Sequence, residues 1–348
     1  MLQQSYQKVR ISAIKRETEQ VKTFVLENVD GSPITYAAGQ FITFIFKRGD
    51  KEERRSFSFS SSPALNEPAA ITIKRIPNGI YSRYFIDRAK VGDELDVMNA
   101  AGLFTVPDNI AEYEQVFFLA AGVGITPIYS IIKTLLQERP QLRLNLIYSN
   151  RNTDDAIFHT QLNILAAKYT DTLKIEYLYS SAFDLGRARL SKWLLPILLK
   201  EYAQTDKGKM LFYLCGPFSY MRMVTLSLEE QGITATNIKK ENFNTELRPT
   251  KLNMPPDTNT HIAHLYLHEK HYDVECKYPD NILQAAKKQG IILPYSCETG
   301  RCGSCAMKCL QGKVWLSYNE VLTDADLAKG ITLTCTGHPI NGDVTLQL

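Results

Sequence analysis

The chain has 348 residues, 44% of them hydrophobic and 22% charged, with a formal net charge of +3. Such a length exceeds one simple core, so two or three domains are expected. The small charge gives no basis for nucleic acid as a partner, and no apolar run approaches the ~18 residues of a membrane span, so membrane insertion is not expected.

The start, MLQQSYQKVRISAIKRE, has no apolar core behind its charges and does not read as a secretory signal. A cytoplasmic protein is therefore expected. Residues 1–109 are predicted to be β-rich: runs at 21–27, 41–46, 69–75 and 93–99 alternate in polarity between turn signals such as Asp30-Gly31 and Asn78-Gly79. Their spacing suggests a small antiparallel barrel. Over 110–246 the pattern changes. Apolar strands at 115–122, 142–149, 174–181 and 209–217 alternate with helices at 126–138, at Ala156–Tyr169 and from about Ser219, which is the signature of βαβ units and a parallel sheet. Residues 247–260 carry three prolines within LRPTKLNMPPDTNT and read as a linker. In the last domain, 261–348, residues 261–278 alternate as a hairpin and NILQAAKKQG (281–290) reads as a helix ending at Gly290.

Seven cysteines, an odd number, argue against a disulfide framework in a reducing compartment. Four of them fall in PYSCETGRCGSCAMKC, residues 294–309. The spacing Cys297-x4-Cys302-x2-Cys305, with Cys335 further on, is that of a plant-type [2Fe–2S] ligand set. Two irons need four thiolates and a tight loop, and Gly300 and Gly303 permit the close backbone approach. The competing reading is a structural zinc site, for which only one CxxC knuckle is present. Cys309 and Cys276 fall outside the set and are expected to be small buried core residues.

Gly122-Val123-Gly124-Ile125-Thr126-Pro127 joins a predicted strand to a predicted helix, where glycines admit a pyrophosphate to the helix N-terminus. The pattern is GxGxxP and not the dinucleotide fingerprint GxGxxG, so a plain strand-to-helix turn stands beside the ligand reading. Cys215-Gly216-Pro217 follows another strand at its carboxyl end, the edge at which open α/β sheets bind ligands. Upstream, RRSFSFSSSP contains Arg55-Ser56-Phe57-Ser58: an arginine fork suits phosphate, a ring stacks on a flat heterocycle and a hydroxyl bonds its edge. An ordinary polar strand has the same composition.

In this order, Arg-x-Phe-Ser, Gly79-Ile80-Tyr81-Ser82, GVGITP, CGP and the cysteine motif, the chain resembles the ferredoxin–NADP⁺ reductase superfamily. With its C-terminal cysteine set it is most similar to reductase components of multicomponent oxygenases, such as that of the phenylacetyl-CoA epoxidases, with hybrid-cluster-protein and lipid-desaturase reductases as neighbouring possibilities. The resemblance implies an antiparallel β-barrel FAD domain, a parallel α/β nicotinamide domain and a β-grasp ferredoxin domain. It implies that Arg55, Gly79, Ile80, Tyr81 and Ser82 hold the flavin pyrophosphate, that Phe57 packs on the flavin and that Ser58 bonds near its N5. Gly122, Gly124, Thr126, Pro127, Cys215, Gly216 and Pro217 would contact NAD(P)H, and Glu241-Asn242-Phe243 would end the reductase module, with Glu241 in the catalytic group and Phe243 over the other flavin face. The family usually has tyrosine where Phe57 stands. Hydride from NAD(P)H would pass through FAD and the [2Fe–2S] cluster to a protein acceptor, an oxygenase component. The last domain carries a net charge of −1, so no strongly acidic docking face is expected. No acidic residue ends the second or third strand of the nicotinamide domain, and Arg151, Arg187 or Arg189 would meet a 2′-phosphate, a lean towards NADPH.

Overall fold

The computed structural model describes residues 6–49, 51–243, 254–267 and 270–348, so residues 247–253 of the expected linker lie outside the described residues. Tyr6–Phe243 form one compact unit and the C-terminal region from 254 belongs to a second.

The first unit opens with β1 (Gln7–Thr18), β2 (Val21–Asn28), β3 (Phe41–Arg48), β4 (Lys51–Ser58) and β5 (Ala70–Lys74), then α1 (Ile80–Asp87) and β6 (Glu94–Ala101). These strands make one antiparallel sheet in the order β4-β3-β6-β1-β2-β5. A bridge between Phe59 and Ile71 joins its two ends and closes the barrel, which removes the exposed edges an open sheet would carry. Inside, Phe24, Phe44 and Phe85 are fully buried and meet edge to face. Each such ring contributes about 1.5–3 kcal/mol by leaving water. The long first strand is not evident in the sequence: only Val9 and Ile11 of its twelve residues are buried, and a bulge after Ile11 breaks the alternation.

The chain then alternates: β7 (Gln115–Ala121), α2 (Ile125–Glu138), β8 (Arg143–Asn150), α3 (His159–Lys168), β9 (Leu173–Tyr179), α4 (Leu194–Tyr202), β10 (Met210–Cys215), α5 (Phe218–Glu230) and β11 (Ile238–Glu241). The sheet order is β11-β10-β7-β8-β9, with every pairing parallel. Helices cover both faces, so strands such as VFFLA and LFYLC are buried throughout.

Barrel and parallel sheet are locked within this unit by buried polar contacts. Ser130 Oγ donates to the Ser61 carbonyl at 2.5 Å, and Ser62 and Thr134 hydroxyls meet at 2.7 Å. The Lys133 ammonium pairs with Glu67 and lies over the Tyr129 ring at 4.4 Å. Burial pushes the Lys133 ammonium towards deprotonation, and Glu67 opposes that shift.

The second unit comprises β12 (His261–Leu267), β13 (Lys270–Cys276), α6 (Ile282–Lys288), β14 (Ala306–Gln311), β15 (Val314–Leu316), α7 (Asp324–Ala328), β16 (Ile331–Leu333), β17 (Gly337–Pro339) and β18 (Val344–Gln347). Its sheet runs β13-β12-β18-β14-β16, and β12 and β18 pair in parallel. An Asn281–Gln284 capping box starts α6, whose buried Ile282, Leu283, Ala285 and Ala286 pack on the sheet in the β-grasp manner. Among the described residues no helix is long and apolar enough to cross a membrane.

Candidate functional site

Parallel pairing of β10 with β11 puts Cys215 directly beside Glu241. Across the barrel contact, Ser58 Oγ at the end of β4 donates to Glu241 Oε2 at 3.3 Å. All three side chains are buried, Cys215 completely. Burial pushes the Glu241 carboxyl up to about 8, moderated by the Ser58 hydrogen bond. The Cys215 thiol is pushed well above its ordinary value by burial and then by Glu241. The trio therefore presents neutral, hydrogen-bonding groups at neutral pH, where an ionised carboxylate would repel arriving negative charge. Phe243, two residues after Glu241, is 41% exposed.

The two glycine turns meet at the same sheet edge. Gly124 packs so closely on the Cys215 backbone that a Cβ there would collide with the Cys215 carbonyl. Gly122 has φ +55°, and no atom lies within 4 Å of where its Cβ would stand, so the turn leading into α2 keeps an open face. Its carbonyl accepts from the Tyr148 hydroxyl at 3.1 Å, and Thr126 Oγ1 donates to the Val123 carbonyl at 2.8 Å. These bonds fix the turn and leave a backbone cradle of the kind a pyrophosphate fits. Pro127 is buried inside α2, while Pro217 precedes α5.

On the barrel, the exposed Arg55 guanidinium lies over the Tyr81 ring at 4.9 Å, which brings the two halves of the expected flavin-phosphate site together. Tyr81 stacks on Phe46 at 4.0 Å. Gly79 precedes α1 because a Cβ would strike Ser82 Oγ at 2.5 Å. That hydroxyl donates to the Gly79 carbonyl and accepts from Ile76 N, so Ser82 shapes the turn and leaves phosphate contact to the backbone. The Ile80 side chain is exposed. Phe57 is half-buried, edge-on to Phe85 and Phe44 at 5.3 and 5.8 Å, and shares the Arg55 face of β4. Flat aromatic surface and a guanidinium thus share one face of β4, with the buried Ser58 hydroxyl at the strand's end, a donor set that fits a flavin dinucleotide.

In the second unit the four expected cysteines converge. Cys297 is hydrogen-bonded to Cys302 and Cys305 to Cys335, and within each pair the shared bond draws the first thiol down, Cys297 to about 5, and pushes its partner up. Cys305 and Cys335 are buried, whereas Cys297 and Cys302 are half-buried. Backbone amides of Thr299 and Ser304 point at Cys297 Sγ and Cys302 Sγ, at 3.4 and 3.5 Å. Gly300 and Gly303 both take φ +73°, and the Gly300 turn lies against the Tyr318 carbonyl. Four thiols in two pairs, with amides aimed at sulfur, match the demand of a [2Fe–2S] cluster. Cys276 is buried as expected, but Cys309 corrects the expectation of a core residue. It is half-exposed on β14, bonded to the Gln311 carbonyl at 3.4 Å, because a bulge follows it in the pairing with β18.

Protein-family models match in the same order: an oxidoreductase FAD-binding domain over residues 8–106, an oxidoreductase NAD-binding domain over 118–225, and a 2Fe-2S iron-sulfur cluster binding domain over 265–339. The chain is 30% identical over 350 residues to the ferredoxin reductase component of the 3-ketosteroid-9-alpha-monooxygenase of Mycobacterium tuberculosis, covering 97% of this chain and 94% of the relative. The chain belongs to the flavin and [2Fe–2S] reductase family. This reductase is also 28% identical over 352 residues to a component of the 1,2-phenylacetyl-CoA epoxidase of Escherichia coli, covering 99% and 98%. Its fold matches that of phthalate dioxygenase reductase with a TM-score of 0.58 at 21% identity, covering 99% of this chain and 98% of that one. The reductase is thus an NAD(P)H-dependent oxidoreductase that uses FAD and a [2Fe–2S] cluster for electron transfer.

Two features of the reductase are not legible in its sequence. Arg301, between Gly300 and Cys302 of the loop, is buried and ion-paired with Glu320 at 3.0 Å, its guanidinium over the Tyr318 ring at 5.5 Å. An arginine beside cluster ligands suggests function, but only the fold shows which acid it meets. Arg187, expected to be free for a 2′-phosphate, is instead held by Glu176 at 3.0 Å and Glu201 at 2.5 Å. Arg151 follows β8 at the sheet's carboxyl edge and is exposed.

Proposed function

We propose that the reductase passes electrons from NAD(P)H to a separate oxygenase component in the cytoplasm, and that Ser58, Cys215 and Glu241 are the residues around its reacting centre. The buried Ser58–Glu241 hydrogen bond at the carboxyl edge of the sheet carries this reading. Bound FAD supplies the conversion of a hydride pair into single electrons for the [2Fe–2S] cluster. Arg55, with the backbone from Gly79 to Ser82, would anchor the flavin pyrophosphate, and Tyr81 would brace that arginine. Phe57 and Phe243 would pack on the two ring faces. Gly122, Gly124, Thr126 and Pro127, facing Cys215, Gly216 and Pro217, would seat the nicotinamide cofactor and exclude water from it. Cys297, Cys302, Cys305 and Cys335 would hold the cluster. The acceptor is inferred from relatives whose names are those of monooxygenase and epoxidase components. The test is reconstitution: the reductase and NAD(P)H should together sustain turnover of an oxygenase component from the same cell. Reduction of cytochrome c without support of any such oxygenase would overturn this acceptor class.

For the nucleotide, Arg151 takes the role of 2′-phosphate contact, with the exposed Arg189 as second candidate, since Arg187 is spent on two carboxylates. Arg151→Ala should raise the KM for NADPH on the order of tenfold, the scale of losing a charged hydrogen bond worth about 1.5 kcal/mol. Arg187→Ala should leave it unchanged. Equal effects on NADH and NADPH in steady-state assays would refute this assignment.

A further inference from the structure

The antiparallel ladder of β12 and β13 sets His264 opposite Asp273 and Tyr266 opposite His271. Ala263, Leu265, Val274 and Cys276 fill the buried face of this hairpin, so the four polar or aromatic side chains stand together on its other, solvent-facing side. Here β13 is the edge strand of the five-stranded sheet. None of these groups takes part in the cysteine loop or in the flavin and nicotinamide sites.

Three of the four are arranged as ligands. His264 Nδ1 lies 2.6 Å from Asp273 Oδ1, and His271 Nε2 lies 3.1 Å from the same oxygen. The three donor atoms all fall within 4.8 Å of one another. A tetrahedral zinc ion with bonds of about 2.0–2.1 Å holds its donors roughly 3.3 Å apart, so small rotations of the side chains would admit an ion. The frame is preset. Paired strands fix both backbones, the Tyr266 ring leans on His271 at 4.7 Å between centroids, and the two imidazoles lie 5.9 Å apart at 19°. Two imidazoles and one carboxylate suit Zn²⁺, Cu²⁺ or Ni²⁺, whereas Mg²⁺ and Ca²⁺ favour all-oxygen sites.

We propose that His264, His271 and Asp273 form a site for a divalent transition-metal ion of the zinc class, with its remaining coordination position open to water. The ion would clip the two strands at the open edge of the sheet, and because it binds only the folded hairpin it would stabilise this domain. The alternative is a carboxylate shared by two imidazoles with no ion.

The experiment uses the full-length holoprotein, with flavin and cluster absorption monitored throughout, in equilibrium dialysis against zinc chloride followed by metal analysis and thermal unfolding. The wild type should take up one additional zinc per chain at micromolar zinc, keep its cluster spectrum and unfold at a higher temperature. His271→Gln and Asp273→Asn should each weaken uptake by about tenfold or more and abolish the thermal shift, while cytochrome c reduction stays at the wild-type rate. Uptake unchanged in both variants, no saturable uptake up to millimolar zinc, or an equal thermal shift with magnesium would each overturn the proposal.

Discussion

Cys302→Ser is expected to abolish cytochrome c reduction by NAD(P)H while the rate of flavin reduction stays within about twofold of wild type. The physical division behind this result is that the two sets of residues belong to different folding units. Ser58, Cys215, Glu241 and the glycine turns all lie within Tyr6–Phe243, whereas the four thiols lie in the C-terminal unit. Cys302 belongs to the half-buried pair of the cysteine loop, and both an amide and the Ser304 hydroxyl engage its sulfur at 3.5 Å. Serine keeps the loop's shape but removes a soft thiolate donor. Iron and acid-labile sulfide analysis should therefore show loss or alteration of the cluster, with a changed paramagnetic spectrum on reduction, independent of any turnover assay. Rapid mixing with NAD(P)H isolates the flavin step. If that step also failed, the assignment of hydride acceptance to the first unit would be wrong.

That division is legible in the sequence wherever chemistry is carried by local spacing. The cysteine loop, the GVGITP turn and the hairpin at 261–278 are short patterns whose geometry follows from neighbours in the chain, and they lie in the structure where the pattern puts them. What stays hidden depends on long-range register. The motif RRSF contains two arginines, yet Arg54 is buried and bonded to Glu52 while Arg55 is exposed over Tyr81. Composition cannot tell them apart until the pleat of β4 is known. Helix α4 is masked because Pro196 interrupts LLPILLKEY, although proline within the first turn costs no intrahelical hydrogen bond. Arg187 reads as free until the fold brings Glu176 and Glu201 to it. The cluster of His264, His271 and Asp273 has a signal, an i,i+2 pair facing a histidine across a hairpin, but it becomes visible only once the strand register is fixed.

Glu241→Gln provides the sharpest test of the buried trio, because it removes the titratable proton without changing shape. In the wild type the Glu241 carboxyl titrates at about 8 when folded, against an ordinary 4.5. The folded state thus binds the proton more tightly than the unfolded chain does, and this group's contribution is fully present below about pH 4.5. As pH rises from there towards 8 the unfolded chain releases its proton first, so stability falls by up to about 1.4 kcal/mol per pH unit and then levels off. Glutamine has no such titration. The difference in unfolding free energy between variant and wild type should therefore move in favour of the variant as pH rises through this window. Kinetics should follow the same group. Below its titration the neutral carboxyl accepts from Ser58 and leaves the centre uncharged; above it, a buried carboxylate beside Cys215 opposes the approach of hydride. Flavin reduction by NAD(P)H should then fall along an alkaline limb centred at about pH 8 in the wild type, and the limb should vanish in Glu241→Gln. A limb that persists in the variant would transfer the titration to another group. A stability difference that does not vary with pH would show that the Glu241 carboxyl is not held neutral by its burial.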